Sequence, residues 1–161
     1  MIEYFTGHRD AALINKFLNG HSEDSTDFQT VYWLRKMGEQ FEDGSLRLQE
    51  VEKNRELLKS AQGEAMSFIR EMGGWPLYKA LCVITQEGAL LTPLEQKIRK
   101  EIEQPSFCKF QPNGKLQQVL YKMQRIWYNR WKHPLVYKEW WLPALITKTW
   151  CIVKGKQIVN E

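Results

Sequence analysis

Between Leu46 and Met72 the apolar positions recur with the most regular period in the chain: Val51, Leu58, Ala65 and Met72 stand seven apart, and Leu48, Leu57, Ala61, Phe68 and Ile69 fill the adjoining positions of one stripe. A stripe at this spacing marks a helix with one buried face. The pattern predicts a helix of about seven turns over 46–72, long enough at about 1.5 Å per residue to cross a whole domain. Gly63 inside it costs about 1 kcal/mol relative to Ala and is expected to mark a close helix crossing. Gly73-Gly74 is the predicted stop.

Shorter periodic segments flank this one. Ala11, Leu13, Ile14, Phe17 and Leu18 predict a helix over 10–19, started by Asp10 and stopped by Gly20. His21 to Asp27 is a polar connector rich in capping residues, and a second helix runs from Phe28 through Val31, Tyr32 and Leu34 to Phe41, closed by Asp43-Gly44. Leu77, Ala80, Leu81 and Ile84 after Pro76 predict a helix over 76–86, with a buried strand as the competing assignment. Thr92-Pro93-Leu94-Glu95 has the form of a capping box with proline in the first turn and predicts a helix over 93–103. Pro105, Pro112 and Asn113-Gly114 mark a loop, Lys115 to Lys132 is helical, and His133-Pro134 ends it because proline disfavours a helical residue before it. From Leu135 the chain is apolar and aromatic, and 150–159 reads as a short β-hairpin turning at Lys154-Gly155.

These elements predict a mainly α fold: a single-domain helical bundle over 1–161, with five to six helices around the long 46–72 helix and a small β-hairpin near the C-terminus. A chain of 161 residues buries enough surface for one core without disulfides or a structural metal. Its 43% hydrophobic and 26% charged content exclude a wholly disordered or membrane-embedded chain. Cys82, Cys108 and Cys151 are odd in number and far apart, so neither a disulfide framework nor a zinc knuckle is indicated. The first residues lack the basic and apolar regions of a signal peptide, and the longest uncharged apolar run, 140–147, is far short of a membrane span. The expectation is a soluble protein of a reducing, cytoplasmic compartment with no membrane insertion.

Charge divides the chain. Residues 1–80 carry 10 basic against 13 acidic side chains, whereas 81–161 carry 13 against 6. The first half is therefore acidic and the second basic. From 105 to 160 ten basic residues face only Glu139, and five of the seven Trp lie in the same span. Cations neutralise phosphates and aromatic faces stack on unpaired bases, so this interleaving suits a nucleic-acid surface.

Helix 115–132 locates that surface. At about 100° per residue, Leu116, Val119, Leu120, Met123, Ile126 and Trp127 gather on one face and are expected to be core. Lys115, Lys122, Arg125, Asn129 and Lys132 gather on the other, with Tyr121 and Tyr128 along its edge. A merely solvated face mixes charges and supports itself with Glu–Lys pairs, and this one has none. Arg130 falls among the apolar residues, where it either packs its stem near the helix end or aims at a phosphate or carboxylate beside Trp127 and Trp131. The expected nucleic-acid contacts are Lys109, Lys115, Lys122, Arg125, Arg130, Lys132 and Lys138 on phosphates, and Tyr121 and Tyr128 on bases.

Catalytic motifs are thin. His8-Arg9-Asp10 copies three letters of the kinase catalytic loop without the rest of that machinery, and Asn113-Gly114-Lys115 lacks most of a P-loop. His21 lies near Glu23, Asp24 and Asp27, but the spacing matches neither an EF-hand nor a zincin and a capped polar loop accounts for it. No catalytic residue, cofactor or metal is expected. The leading expectation is a non-enzymatic nucleic-acid-binding protein that prefers RNA or single strands, an accessory subunit of a larger nucleoprotein complex. The alternative is a protein-interaction module, regulator or inhibitor, docking its basic Trp-rich face onto an acidic protein surface, since Trp, Tyr and Arg also make interface hot spots. Anionic lipid is disfavoured because the basic helix is expected to spend its apolar face on the core.

Overall fold

Local capping chemistry sets the starts of two of this chain's helices and the end of one. A computed structural model describes residues 8–107 and 113–136, which form α1 (His8–Asn19), α2 (Thr26–Asp43), α3 (Leu48–Lys59), α4 (Gly63–Glu71), α5 (Trp75–Val83), α6 (Pro93–Glu103), α7 (Lys115–Asn129) and the single turn α8 (His133–Val136). The fold is mainly helical, with no strand among the described residues. The hairpin expected over 150–159 lies outside them. Ser25 caps α2 by accepting from the Phe28 amide at 3.2 Å. Gly44 ends α2 with φ 76°, and a Cβ there would stand 2.5 Å from the Phe107 carbonyl oxygen, so conformation and space both demand glycine.

The capping box forms as its residues predict. Thr92 accepts from the Glu95 amide at 3.3 Å, and Glu95 accepts from the Thr92 amide at 3.0 Å. Pro76 sits in the first turn of α5, and the segment is helix, not the competing strand.

The 46–72 stripe, in contrast, does not form one helix. The chain leaves α3 at Ser60, whose hydroxyl donates to the Leu57 carbonyl at 2.7 Å, and re-enters at Gly63 with φ 59°. Gln62 between them is extended. The stripe nevertheless faces inward throughout: Val51, Leu58, Ala61, Ala65, Ile69 and Met72 are all buried. Periodicity specifies the covered side of each turn and leaves continuity open. The stripe serves two apolar clusters, with Ile69 of α4 in the same cluster as α3. Val51, Leu58 and Ala61 join Leu34, Met37 and Phe41 of α2, Leu77 and Leu81 of α5, and Ile98 and Ile102 of α6. Ala65 and Met72 join Ile14 and Leu18 of α1, Val31 of α2 and Ile126 of α7. The break at 60–62, with the extra turn α8, gives eight helical segments among the described residues.

Among the described residues, Tyr78 is the one phenol in the larger cluster. Its hydroxyl donates to the Leu58 carbonyl at 2.5 Å, at the end of α3, and burial pushes its pKa up to about 12. No helix among the described residues is long and apolar enough to cross a membrane.

The break at Gly63 has a test whose sign separates the two geometries. In a continuous helix, Gly63→Ala would stabilise by about 1 kcal/mol. With Gly63 left-handed, the same change is expected to destabilise by about 1 kcal/mol, read as a lower urea midpoint at unchanged slope.

Candidate interaction face

Helix α7 is amphipathic and packs the opposite way to its expected orientation. Of the six residues expected as core, only Ile126 is buried, while Leu116 is 73% exposed, Leu120 49%, Met123 44% and Trp127 57%. On the side expected to face water, Tyr121, Arg125 and Asn129 are buried, and Lys132, just beyond the helix, is 0% exposed.

The reason lies at the end of α2. The Gln40 carbonyl already accepts the Gly44, Ser45 and Leu46 amides. The carbonyls after it need donors from outside the helix. Asn129 Nδ2 donates to the Glu42 carbonyl at 2.6 Å, and Lys132 Nζ donates to the Phe41 carbonyl at 3.0 Å. An apolar face offers no donor for these sites, and a cation at a helix C-terminus is favoured by the helix dipole. Lys132 also pairs with Glu101 of α6 at 2.8 Å, and Glu101 accepts from the Ser106 amide at 2.9 Å and the Ser106 hydroxyl at 2.7 Å. Aromatic contacts line the same junction: Phe107 lies 5.4 Å from the Tyr121 ring and 5.6 Å from Tyr128, and Trp131 meets Phe41 edge-on at 5.8 Å.

Burial acts on both members of the ion pair. It pushes the Glu101 carboxyl up, but the hydrogen bonds from Lys132 and Ser106 outweigh it and hold the pKa below the ordinary value. For Lys132 burial dominates, and its ammonium sits below the usual lysine range despite the attraction of Glu101.

The residues expected to hold a nucleic acid therefore do not share one surface. Lys115 is exposed at the start of α7 and Lys122 is half-buried. Arg125 and Lys132 are enclosed by the docked face, and Tyr121 is buried against Phe107. Tyr128 is partly exposed. Arg130 is exposed, its guanidinium 4.2 Å over the Trp127 ring and donating to the Trp127 carbonyl at 2.7 Å. Lys109 and Lys138 lie outside the described residues, as do Cys108, Cys151 and three of the seven Trp.

The arrangement leaves an apolar face outward. Leu116, Leu120, Met123 and Trp127 follow one another at spacings of four, three and four, which places them within an arc of about 60° along about 16 Å of helix. Exposed Gln117 and Gln124 border one side of this seam, Lys115 and Arg130 stand at its ends, and α7 contains no acidic residue. This face is outward, so the expectation that anionic lipid is disfavoured because the face is core is corrected. The periodicity of α7 showed two unlike faces, but nothing local to the helix says which one is covered. No protein-family model, curated protein or solved structure matches the chain.

Removing the ammonium from the junction leaves the buried Glu101 carboxylate with Ser106 but without its counter-ion. Lys132→Ala is expected to cost about 3–5 kcal/mol in denaturant unfolding, and the double variant Lys132→Met, Glu101→Met much less, because it removes both charges. Acid should act through the same pair. The pKa of Glu101 is lower folded than unfolded, so its contribution is whole above the unfolded value of 4.5 and is lost as pH falls through the lower folded pKa, where the unfolded chain binds the proton first. Urea midpoints from about pH 7 to about pH 3 should fall more steeply for the parent than for the double variant.

Proposed function

We propose that this protein is a non-enzymatic protein-interaction module, a subunit of a larger assembly, that receives an acidic amphipathic helix of a partner along α7. The observation that supports this most is the outward seam of Leu116, Leu120, Met123 and Trp127. A narrow apolar stripe at spacings of four and three is the pattern by which one helix packs along another. A monomer gains nothing by wetting it. Trp and Arg are the residue types most enriched among interface hot spots, and Trp127 with Arg130 stacked on it supplies both.

Charge selects the partner. With Lys115 and Arg130 at the ends of the seam and no carboxylate on α7, a second copy laid along it would bring like charges together. An acidic helix meets complementary ones. A lipid surface favours a broad apolar face, and an arc of about 60° is narrow for that purpose. The nucleic-acid reading keeps Lys115, Lys122, Tyr128 and Arg130, together with Lys109 and Lys138, but its expected basic face is partly spent inside the fold.

A synthetic acidic helix, with leucine at the two apolar heptad positions and glutamate beside them, tests the proposal by calorimetry and by the part of the tryptophan fluorescence change that Trp127→Phe removes, since the chain has seven Trp. Trp127→Ala and Leu120→Glu are each expected to weaken its binding about 30-fold, with the fold intact because both side chains are exposed. A charge-reversed peptide should bind more weakly than the acidic one. Failure of the acidic peptide to bind overturns the proposal. So does low-salt binding of single-stranded RNA or DNA that survives Leu120→Glu and is lost on replacing Lys115 and Arg130 by Ala.

A further inference from the structure

The connection between α1 and α2 carries a second group of side chains with chemistry of its own. His21 Nδ1 lies 2.8 Å from the Phe17 carbonyl oxygen, and the ring stacks on Phe17 with centroids 4.2 Å apart. Phe17 stacks in turn on Phe68 at 4.4 Å, so the imidazole is held from behind. A carbonyl only accepts, which assigns the Nδ1 proton. The outward nitrogen is Nε2, which donates to Glu64 Oε2 at 2.8 Å when the ring is protonated, a proton that a metal ion taking Nε2 as ligand would release. Asp27, in the first turn of α2, completes the group, and donor atoms of His21, Asp27 and Glu64 all lie within 4.8 Å of one another.

We propose that His21, Asp27 and Glu64 bind one divalent transition-metal ion of the zinc or manganese kind, joining the end of α1 to the first turns of α2 and α4. An imidazole nitrogen with two carboxylates is a donor set suited to such ions, and three protein ligands leave positions for water. A histidine that ligates a metal characteristically donates its other ring N–H to a carbonyl or carboxylate, which fixes the tautomer and aims the free lone pair. The Phe17 carbonyl does this, and it lies outside the cluster. Asp27 and Glu64 both stand in first turns of helices, where the dipole favours the ionised carboxylates a metal requires. The neutral imidazole and two carboxylates balance a divalent charge. Ligand bonds of about 2.0–2.2 Å require the three groups to close inward. Glu64, with 76% of its side chain exposed, is able to swing without disturbing the core.

The site has no signature along the chain, because Glu64 is 43 residues from His21. The acidic residues beside His21 in sequence, Glu23 and Asp24, are not part of it.

The experiment uses the full chain and manganese, which prefers oxygen and nitrogen donors to thiolates and so avoids the cysteines. Electron paramagnetic resonance of the free ion should report one site per chain, and Mn2+ should broaden the His21 ring resonances before those of His8 and His133. His21→Gln, Asp27→Asn and Glu64→Gln are each expected to weaken binding about tenfold or more. Zn2+ should raise the thermal midpoint of the parent but not of His21→Gln. The exposed Glu64→Gln keeps the fold, which circular dichroism verifies, so its loss of binding would be a loss of a ligand. No binding at millimolar Mn2+, broadening centred on His8 or His133, or affinity unchanged in both carboxylate variants overturns the proposal.

Discussion

The ammonium group of Lys132 joins three parts of the chain that sequence keeps far apart: the end of α2 through the Phe41 carbonyl, α6 through Glu101, and the end of α7 from which it projects. Taking a lysine out of water is costly, and the cost is offset only where an opposite charge and a second acceptor are both in place. Here they are. Glu101 is itself held by Ser106, so the acceptor side of the pair is pre-arranged by the chain just after α6. With Asn129 on the Glu42 carbonyl, the same junction satisfies the end of the longest helix of the described residues.

Everything about the presentation of α7 follows from that junction. An amphipathic helix ordinarily turns its apolar side to the core, because burying that side contributes more than any one polar contact. In α7 the polar side carries donors that the end of α2 needs, and Ile126 alone of the expected apolar face is fully enclosed. The helix is thereby rotated by about half a turn from the orientation its periodicity suggests. Its leucines, methionine and tryptophan are left as an outward seam. The basic character of the second half of the chain is correspondingly redistributed, with Arg125 and Lys132 taken inside and Lys115 and Arg130 left at the ends of that seam.

The smaller apolar cluster links this face to the His21 group. Ile126 belongs to one cluster with residues of α1, α2 and α4, the elements beside which His21, Asp27 and Glu64 meet at the surface. Phe17 and Phe68 pack against that cluster and support the imidazole at the same time. A tie across the three helices would therefore stiffen the bed on which α7 lies.

Features built from neighbours in sequence were legible without a structure. The Thr92–Glu95 box, Pro76 in the first turn of α5 and the Gly44 stop each depend on a few consecutive residues, and each appears where those residues stand. The inward face of 46–72 was legible too, since periodicity is a local property. Its continuity was not, because periodicity states which side of each turn is covered and says nothing of the turn at 60–62. The sequence by itself determined the helical character, the caps, the faces of the stripe and the contrast between the two sides of α7. Only the tertiary structure decided which side of α7 is covered and that His21 meets Glu64, because the groups that settle these questions lie 43 to 91 residues apart and their hydrogen-bonding needs exist only once both helix ends are formed.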